Sequence, residues 1–394
     1  MRTRRAAPVP HILIDISRAL YIRLVRRTPT GIDRVSLEYV RRYAGRARAV
    51  LSLGPFSSAL SRADSELAFK LTLDGEPRPW LVAAWLIFKS HIKWWTGSRV
   101  KDHVLINTSN AWSASSYATA LRRRGACPVF FVHDIIPLTH PEYFKPDENR
   151  KHLERMRTAI TIGNGIIANS QHTLESLQQF ANEENLRLPP AAVAQPGHNL
   201  PRETPGPRPI AAPYFVMLST IEPRKNHWLM LQLWRKLIER SGKAAPRLVI
   251  IGMRGWECEN VVDLLERSPQ MQGFVIERNQ CDDREAMTWL HHARALLFPS
   301  FVEGFGMPLS EALSLGVPAI ASDLQVFREV AGEVPEYIDP LDGARWVEVI
   351  ADYAGEQSAL RAAQIQRMKE FRPTTWEQHF SVVDDFLERL DSQR

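Results

Sequence analysis

Short apolar runs alternate along this chain with longer stretches in which apolar residues recur every three to four positions. In the first half the runs are His11–Ile16, Val104–Asn107, Val129–His133 and Gly165–Ala168; in the second they are Tyr214–Leu218, Arg247–Ile251, Phe274–Ile276, Ala295–Phe298 and Pro318–Ala321. Each is β-branched or apolar and is followed by polar or helix-forming sequence, so the alternation predicts an α/β fold with parallel sheets. No repeat of 20–50 residues is visible. Residues 196–209 hold five prolines and two glycines in 14 positions and cannot continue a strand or a helix. The reading is therefore an N-terminal domain over 1–200, a linker over 201–212 and a C-terminal domain over 213–374. Over 375–394 the tail reads as an amphipathic helix, with Trp376, Phe380, Val383, Phe386 and Leu390 at three-to-four spacing.

Composition narrows the classes. A length of 394 residues accommodates two or three domains at about 100–200 residues each. With 44% apolar and 24% charged residues, a long disordered chain is excluded. No apolar run is long enough for a spanning helix. Cys127, Cys258 and Cys281 are odd in number and far apart, which points to a reducing compartment. The start has Arg residues, but Asp15 interrupts the apolar segment, so no secretory signal is expected and the cytoplasm is the expected location. The first fifty residues carry 12 Arg against Asp15, Asp33 and Glu38, while the whole chain is only +6. Two readings of this basic start stay open: a phosphate or anionic-lipid partner, or a solvated helix face and terminus. Nucleic acid is not expected as a partner, because only the high pI of about 9.3 favours it and no RNA-binding motif accompanies it.

The densest chemical signal runs from Leu297 to Asp323. A strand ends at Phe298, a loop with Gly304 and Gly306 follows, and Pro308 suits the first turn of a helix that Gly316 closes. Such a loop delivers free backbone N–H groups at a helix N-terminus beyond a parallel strand, where α/β sheets bind anions. Glu303 precedes the glycines and Glu311 lies eight residues on. A carboxylate there can accept hydrogen bonds from vicinal hydroxyls, or merely complement the helix dipole. The second signal is the stretch 219–228, in which Arg224 and Lys225 are adjacent cations at a strand-to-helix turn. The pair is able to neutralise a diphosphate; a solvated Arg-Lys pair is the plainer alternative. No Asp-rich metal cluster accompanies it, so fixed cations and no metal are expected to stabilise a leaving group.

The spacing of Glu303 and Glu311 resembles the E-x7-E motif of retaining glycosyltransferases of family 4, which have the GT-B fold. The segment Glu222–Asn226 resembles the R-K phosphate-binding segment of the same enzymes. Two matches in the first half are weaker. The stretch 30–35 looks like the glycine loop of that family, with Gly31 alone where paired glycines are common, and 131–138 resembles the HDxxP segment of bacterial polysaccharide mannosyltransferases. Ser170 reads as a helix N-cap.

The resemblance implies two Rossmann-like domains facing across a cleft, with the tail helix packed back on the first. It implies transfer of a hexose from a nucleotide sugar, GDP-mannose favoured over UDP-sugars or dTDP-rhamnose, to a glycan or lipid-linked glycan acceptor. By the same resemblance His133, Glu303, Arg224 and Lys225 are the catalytic set. Gly31, Gly304, Phe305, Gly306, Met307 and Glu311 bind the donor, with no metal and no cofactor. A non-catalytic nucleotide-sugar-binding subunit on the same fold is the competing reading; loss of the cation pair or of a glutamate would mark it, and all four residues are present. The Trp-rich segment 80–95, which contains Lys89 and Lys93, reads either as an interfacial helix lying on the inner membrane near a lipid-linked acceptor or as a buried core helix.

Overall fold

A computed structural model describes residues 11–392 except 26, 28, 54–55, 75–78, 97–99, 110–119, 121 and 199–203. The Arg-rich start before residue 11 and residues 201–203 of the linker thus lie outside the described residues. Contacts divide the chain into two compact units. The first comprises Met1–Ile135, Arg150–Pro196 and Trp376–Arg394; the second comprises Ile136–Asn149 and Gly197–Thr375. The segment Ile136–Asn149, inside the N-terminal half of the sequence, belongs to the second unit for an aromatic reason. Tyr143 stacks on Phe301 with ring centroids 5.7 Å apart, Phe144 stacks on Trp256 at 6.0 Å, and the Trp256 indole N–H donates to the Tyr143 carbonyl at 2.9 Å.

The first unit is built on a seven-stranded sheet: β1 (Ile12–Asp15), β2 (Ala47–Leu53), β3 (Phe56–Ala59), β4 (Val104–Asn107), β5 (Cys127–Val132), β6 (Gly165–Ala168) and β7 (Ala191–Val193), in the order β3-β2-β1-β4-β5-β6-β7. All pairs are parallel except the β2–β3 hairpin. The helix Trp376–Ser392 covers this unit's core: its Phe380 meets Tyr39 edge-on at 5.1 Å, and its Asp384 accepts from Arg42, Tyr43 and Arg46. Ser170 caps the helix Gln171–Glu183, accepting from the Thr173 N–H.

The second sheet has six parallel strands: β8 (Tyr214–Leu218), β9 (Arg247–Ile251), β10 (Val275–Arg278), β11 (Leu296–Phe298), β12 (Ala319–Ser322) and β13 (Glu336–Ile338), in the order β10-β9-β8-β11-β12-β13. Its core gathers Phe215, Trp234, Leu248, Leu297 and Trp346, all fully buried. Trp234 brings a polar N–H into that core and satisfies it on the Pro246 carbonyl at 2.9 Å.

In each sheet the strand order reverses once, between β1 and β4 in the first and between β8 and β11 in the second. Loops leaving the carboxyl ends of strands diverge at such a point and open a crevice, which is where open α/β sheets bind ligands.

Candidate active site

At the β8/β11 reversal two loops meet. After β8 the chain makes one 3-10 turn over Pro223–Lys225, and Asn226 then adopts a left-handed conformation with φ 58°. Asn tolerates that conformation, and its amide donates to the Pro340 carbonyl at 3.0 Å before the helix His227–Ser241 begins. After β11 the chain runs to Gly306, which has φ 100° and precedes the helix Met307–Ser314 with Pro308 in its first turn. A Cβ at Gly306 would lie 2.8 Å from the ring of Phe327, so sign of φ and space both require glycine. The loops are joined by backbone, the Phe301 N–H donating to the Arg224 carbonyl at 2.8 Å.

Their side chains form a buried charge network. Glu303 accepts from Arg224 Nη1 at 2.7 Å on Oε2, and from Lys225 and the Ser300 hydroxyl on Oε1, the latter at 2.7 Å. Arg224 also donates to the Val302 carbonyl at 3.2 Å, and its Nε faces Glu222 Oε1 at 2.7 Å. The Lys225 ammonium lies 5.3 Å from the centre of the Phe298 ring. Two cations and two carboxylates, all largely out of water, are tolerable only because each is paired with an opposite charge. Burial alone would raise the Glu303 pKa; Arg224, Lys225 and Ser300 outweigh it and hold the carboxyl down at about 2, fully ionised. Burial, with Arg224 beside it, lowers the pKa of Lys225, and Glu303 and Glu222 oppose that shift.

Gly304, Phe305, Gly306, Met307 and Glu311 lie on the same loop and helix as Glu303. Phe305 and Glu311 are buried, and Met307 is half-buried at the helix start. Gly31 and His133 belong to the first unit. Gly31 is the exposed first residue of the helix Gly31–Tyr43, whose start is tied by Asp33 accepting from the Thr30 N–H at 2.8 Å and from Arg18 at 2.6 Å. His133 follows β5, and its Nε2 donates to the Thr108 carbonyl beyond β4 at 2.7 Å. Burial lowers its pKa, so the ring is neutral with Nδ1 as the acceptor nitrogen.

Three residues of the network carried no assignment in the sequence. Glu222 and Ser300 complete the pairing of Arg224 and Glu303. His227, fully buried at the start of the helix after Asn226, has a pKa pushed down to about 3 by burial and by the Lys225 charge. All three lie inside or within three residues of the two motifs, which was the available signal.

Two α/β units built on sheets of this topology share the fold of GT-B glycosyltransferases. The structure of Anabaena Alr3699/HepE in complex with UDP-glucose shares it at a TM-score of 0.64, 15% identity, and 97% and 99% of the two chains covered. A trehalose-phosphate synthase from Burkholderia vietnamiensis shares it at 0.58, 11% identity, and 98% and 99% covered. Residues 207–367 match the family described as Glycosyl transferases group 1. The second unit therefore carries a group 1 glycosyltransferase domain, and the protein is a glycosyltransferase. Its relatives include the O-antigen chain mannosyltransferase B of Escherichia coli, 27% identical over 331 residues, which are 79% of this chain and 84% of that protein. The serotype-specific mannosyltransferase WbdA of Escherichia coli is 31% identical over 271 residues, 63% of this chain but 33% of WbdA, so the match spans about a third of that longer protein.

Proposed function

We propose that the protein is a retaining hexosyltransferase that moves mannose from GDP-mannose to a glycan or lipid-linked glycan acceptor during surface-polysaccharide synthesis, on the cytoplasmic side of a membrane. The observation that carries this reading is Glu303 holding Arg224 and Lys225 at the β8/β11 reversal, within the matched domain. The names of the mannosyltransferase relatives support the choice of donor.

The network implies a change of partners. A diphosphate entering the site competes with Glu303 for Arg224 and Lys225, and charge-assisted bonds to phosphate oxygens replace those to carboxylate. The freed Glu303 then accepts hydrogen bonds from hydroxyls of the transferred sugar. As the bond from the anomeric carbon to the phosphate oxygen breaks, its electron pair passes to the nucleoside diphosphate, and the two cations offset the charge that develops. The acceptor hydroxyl attacks from the same face, and its proton goes to the departing phosphate oxygen. The reading assigns no protein nucleophile, no metal and no cofactor. Glu311 takes the ribose hydroxyls, backbone groups of Gly304–Met307 and Gly31 the phosphates, and His133 the sugar or the acceptor.

A donor panel tests this: purified protein with GDP-mannose, UDP-sugars and dTDP-rhamnose, scored by nucleoside diphosphate release and thermal shift. GDP-mannose is the expected donor, and NMR of the product is expected to show a retained anomeric configuration. Arg224→Ala and Glu311→Ala are each expected to lose donor binding or turnover. Wild-type behaviour in either, or an inverted product, overturns the reading.

A further inference from the structure

Large apolar side chains are exposed at few described positions, and most of these cluster in one place. The helix Pro79–Thr96 of the first unit turns Trp80, Leu81, Trp85, Phe88 and Ile92 to solvent, with Leu81 65%, Trp85 51% and Phe88 57% exposed. Positions 81, 85, 88 and 92 form a single stripe on a helix. The opposite side is seated on the fold: Ala83, Leu86 and Ser90 are buried, and Ser90 is hydrogen-bonded to Ser58 of β3 at 2.9 Å. The segment is a core helix on one side only. The helix Ser17–Leu24 packs beside it and adds exposed Tyr21, followed by exposed Val25.

Charge indicates what covers this face. Neither helix contains an Asp or a Glu. Arg23 and Arg27 are exposed at its margin, and Lys89 lies 4.7 Å from the centre of the Trp85 ring while paired with Asp64. A second copy docked face to face would set basic margins against each other with no acid on either helix to match them. An anionic bilayer offers both complements, phosphate groups for the arginines and an acyl boundary for the rings. No helix among the described residues is long and apolar enough to cross a membrane.

We propose that the face formed by the helices Ser17–Leu24 and Pro79–Thr96 docks the protein on an anionic lipid bilayer, with Trp85 and Phe88 as its apolar anchors. This stands on exposure and charge alone, independently of which donor the enzyme uses.

The test is flotation of the full chain with vesicles of phosphatidylcholine, with and without phosphatidylglycerol, at low and high salt. The wild type is expected to float with the anionic vesicles at low salt and far less with the zwitterionic ones. Trp85→Glu/Phe88→Glu is expected to lower binding more than about tenfold, because two exposed rings that would enter the acyl boundary become two charges facing anionic lipid. Arg23→Gln is expected to lower it about fivefold on anionic vesicles only, from roughly 1 kcal/mol per surface cation. Trp228→Ala, an exposed tryptophan of the second unit, is expected to change nothing. Should the double variant misfold, Phe88→Ser and Arg23→Gln carry the same comparison. Nucleoside diphosphate release with a soluble acceptor is expected to be unchanged in the double variant, so failure of the surface and failure of the enzyme assignment are separable. Wild-type protein that ignores anionic vesicles, a folded double variant that floats as well as the wild type, or a dimer in sedimentation that the double variant splits would each overturn the proposal.

Discussion

The two strand-order reversals of this molecule hold different chemistry. Between β8 and β11 four buried charges, Glu222, Arg224, Lys225 and Glu303, neutralise one another at contact distance. Between β1 and β4 Asp15 is held by neutral donors: the Ser17 N–H at 2.9 Å, the Ser17 hydroxyl at 2.6 Å, and the Ser52 hydroxyl and Asn107 amide at 3.4 Å. His133, after β5, is a neutral ring bonded to the Thr108 carbonyl beyond β4. The first arrangement stores cations that a new anion can recruit by displacing a carboxylate. The second offers oriented hydrogen-bonding groups and an ion pair, Arg18 with Asp33 at 2.6 Å, that ties the start of the helix Gly31–Tyr43. The difference fits the roles proposed above, in which Arg224 and Lys225 of the second unit offset the charge of the leaving phosphate and His133 of the first meets the sugar or the acceptor.

The largest effect expected to break this comparison is at Lys225. Lys225→Met leaves Glu303 with a buried charge short of its closest partner, and one-sided loss of a buried pair costs about 3–5 kcal/mol. Urea unfolding is the measurement. The double variant Lys225→Met/Glu303→Gln is expected to lose clearly less than the sum of the two single variants. Additive losses would mean that the pair is not energetically coupled and that no carboxylate is there to be displaced.

His133 probes the other unit. With His133→Ala, kcat is expected to fall about 10²-fold, the lower range for a group assisting proton transfer or positioning a reacting sugar. The thermal shift caused by nucleoside diphosphate is expected to stay at the wild-type value, since His133 is assigned to the sugar or the acceptor and not to the phosphates. A lost thermal shift together with unchanged kcat would reverse the assignment of the two units.

Gly306 sharpens the geometry of the charged loop. Gly306→Ala must hold φ 100° with a side chain and push against Phe327, which itself stacks on Phe298 at 4.9 Å. About 1–3 kcal/mol of strain is expected, read as lower thermal stability together with weaker nucleoside diphosphate binding. Adding Phe327→Leu removes the clash but not the backbone strain, so only part of the loss is expected to return. Full recovery would show that space alone demands the glycine.

These residues differ in how readily the sequence discloses them. Arg224, Lys225, Glu303 and Glu311 stand in two dense motifs, because one loop and one helix start must present them within a few residues. Strands buried on both faces, such as β4, β6, β8 and β9, are legible as apolar runs. The strands β2, β3, β7 and β13 are not. In β2 Arg48 breaks the run and is satisfied by tertiary partners, the Leu60 carbonyl accepting at 2.8 Å and the Ala59 carbonyl at 3.4 Å; β3, β7 and β13 are sheet edges, short or polar. Glu222 and Ser300 look like ordinary turn residues until burial pairs them with Arg224 and Glu303. The transfer of Ile136–Asn149 to the second unit is hidden for a similar reason, since it depends on contacts such as Tyr143 with Trp256, 113 residues apart.

At neutral pH the last expected effect is silent; it separates the two units by acid. His227 in the second unit is held down to about 3 by burial and by Lys225, and His379 in the first to about 4 by burial, which the Gln195 and Ala194 carbonyls partly oppose. Below the ordinary value of 6.5 the unfolded chain takes up a proton that each folded ring refuses. The unfolded state then binds more protons, so stability falls with pH by up to roughly 1.4 kcal/mol per pH unit per ring. That loss ends near pH 4 for His379 and continues to near 3 for His227. Glu303 extends it in the second unit, because its folded-state stabilisation is complete above its ordinary value of 4.5 and is lost as pH falls toward about 2. Hydrogen exchange across an acid series is therefore expected to show protection around β8 and β11 still declining below pH 4, after the part of the decline around β1 and β5 that His379 causes has ended. His227→Gln is expected to flatten the decline of the second unit between about 6.5 and 3, and His379→Gln that of the first between about 6.5 and 4. If His227→Gln leaves the second unit's acid profile unchanged, neither burial nor the Lys225 charge holds that ring neutral in the folded protein.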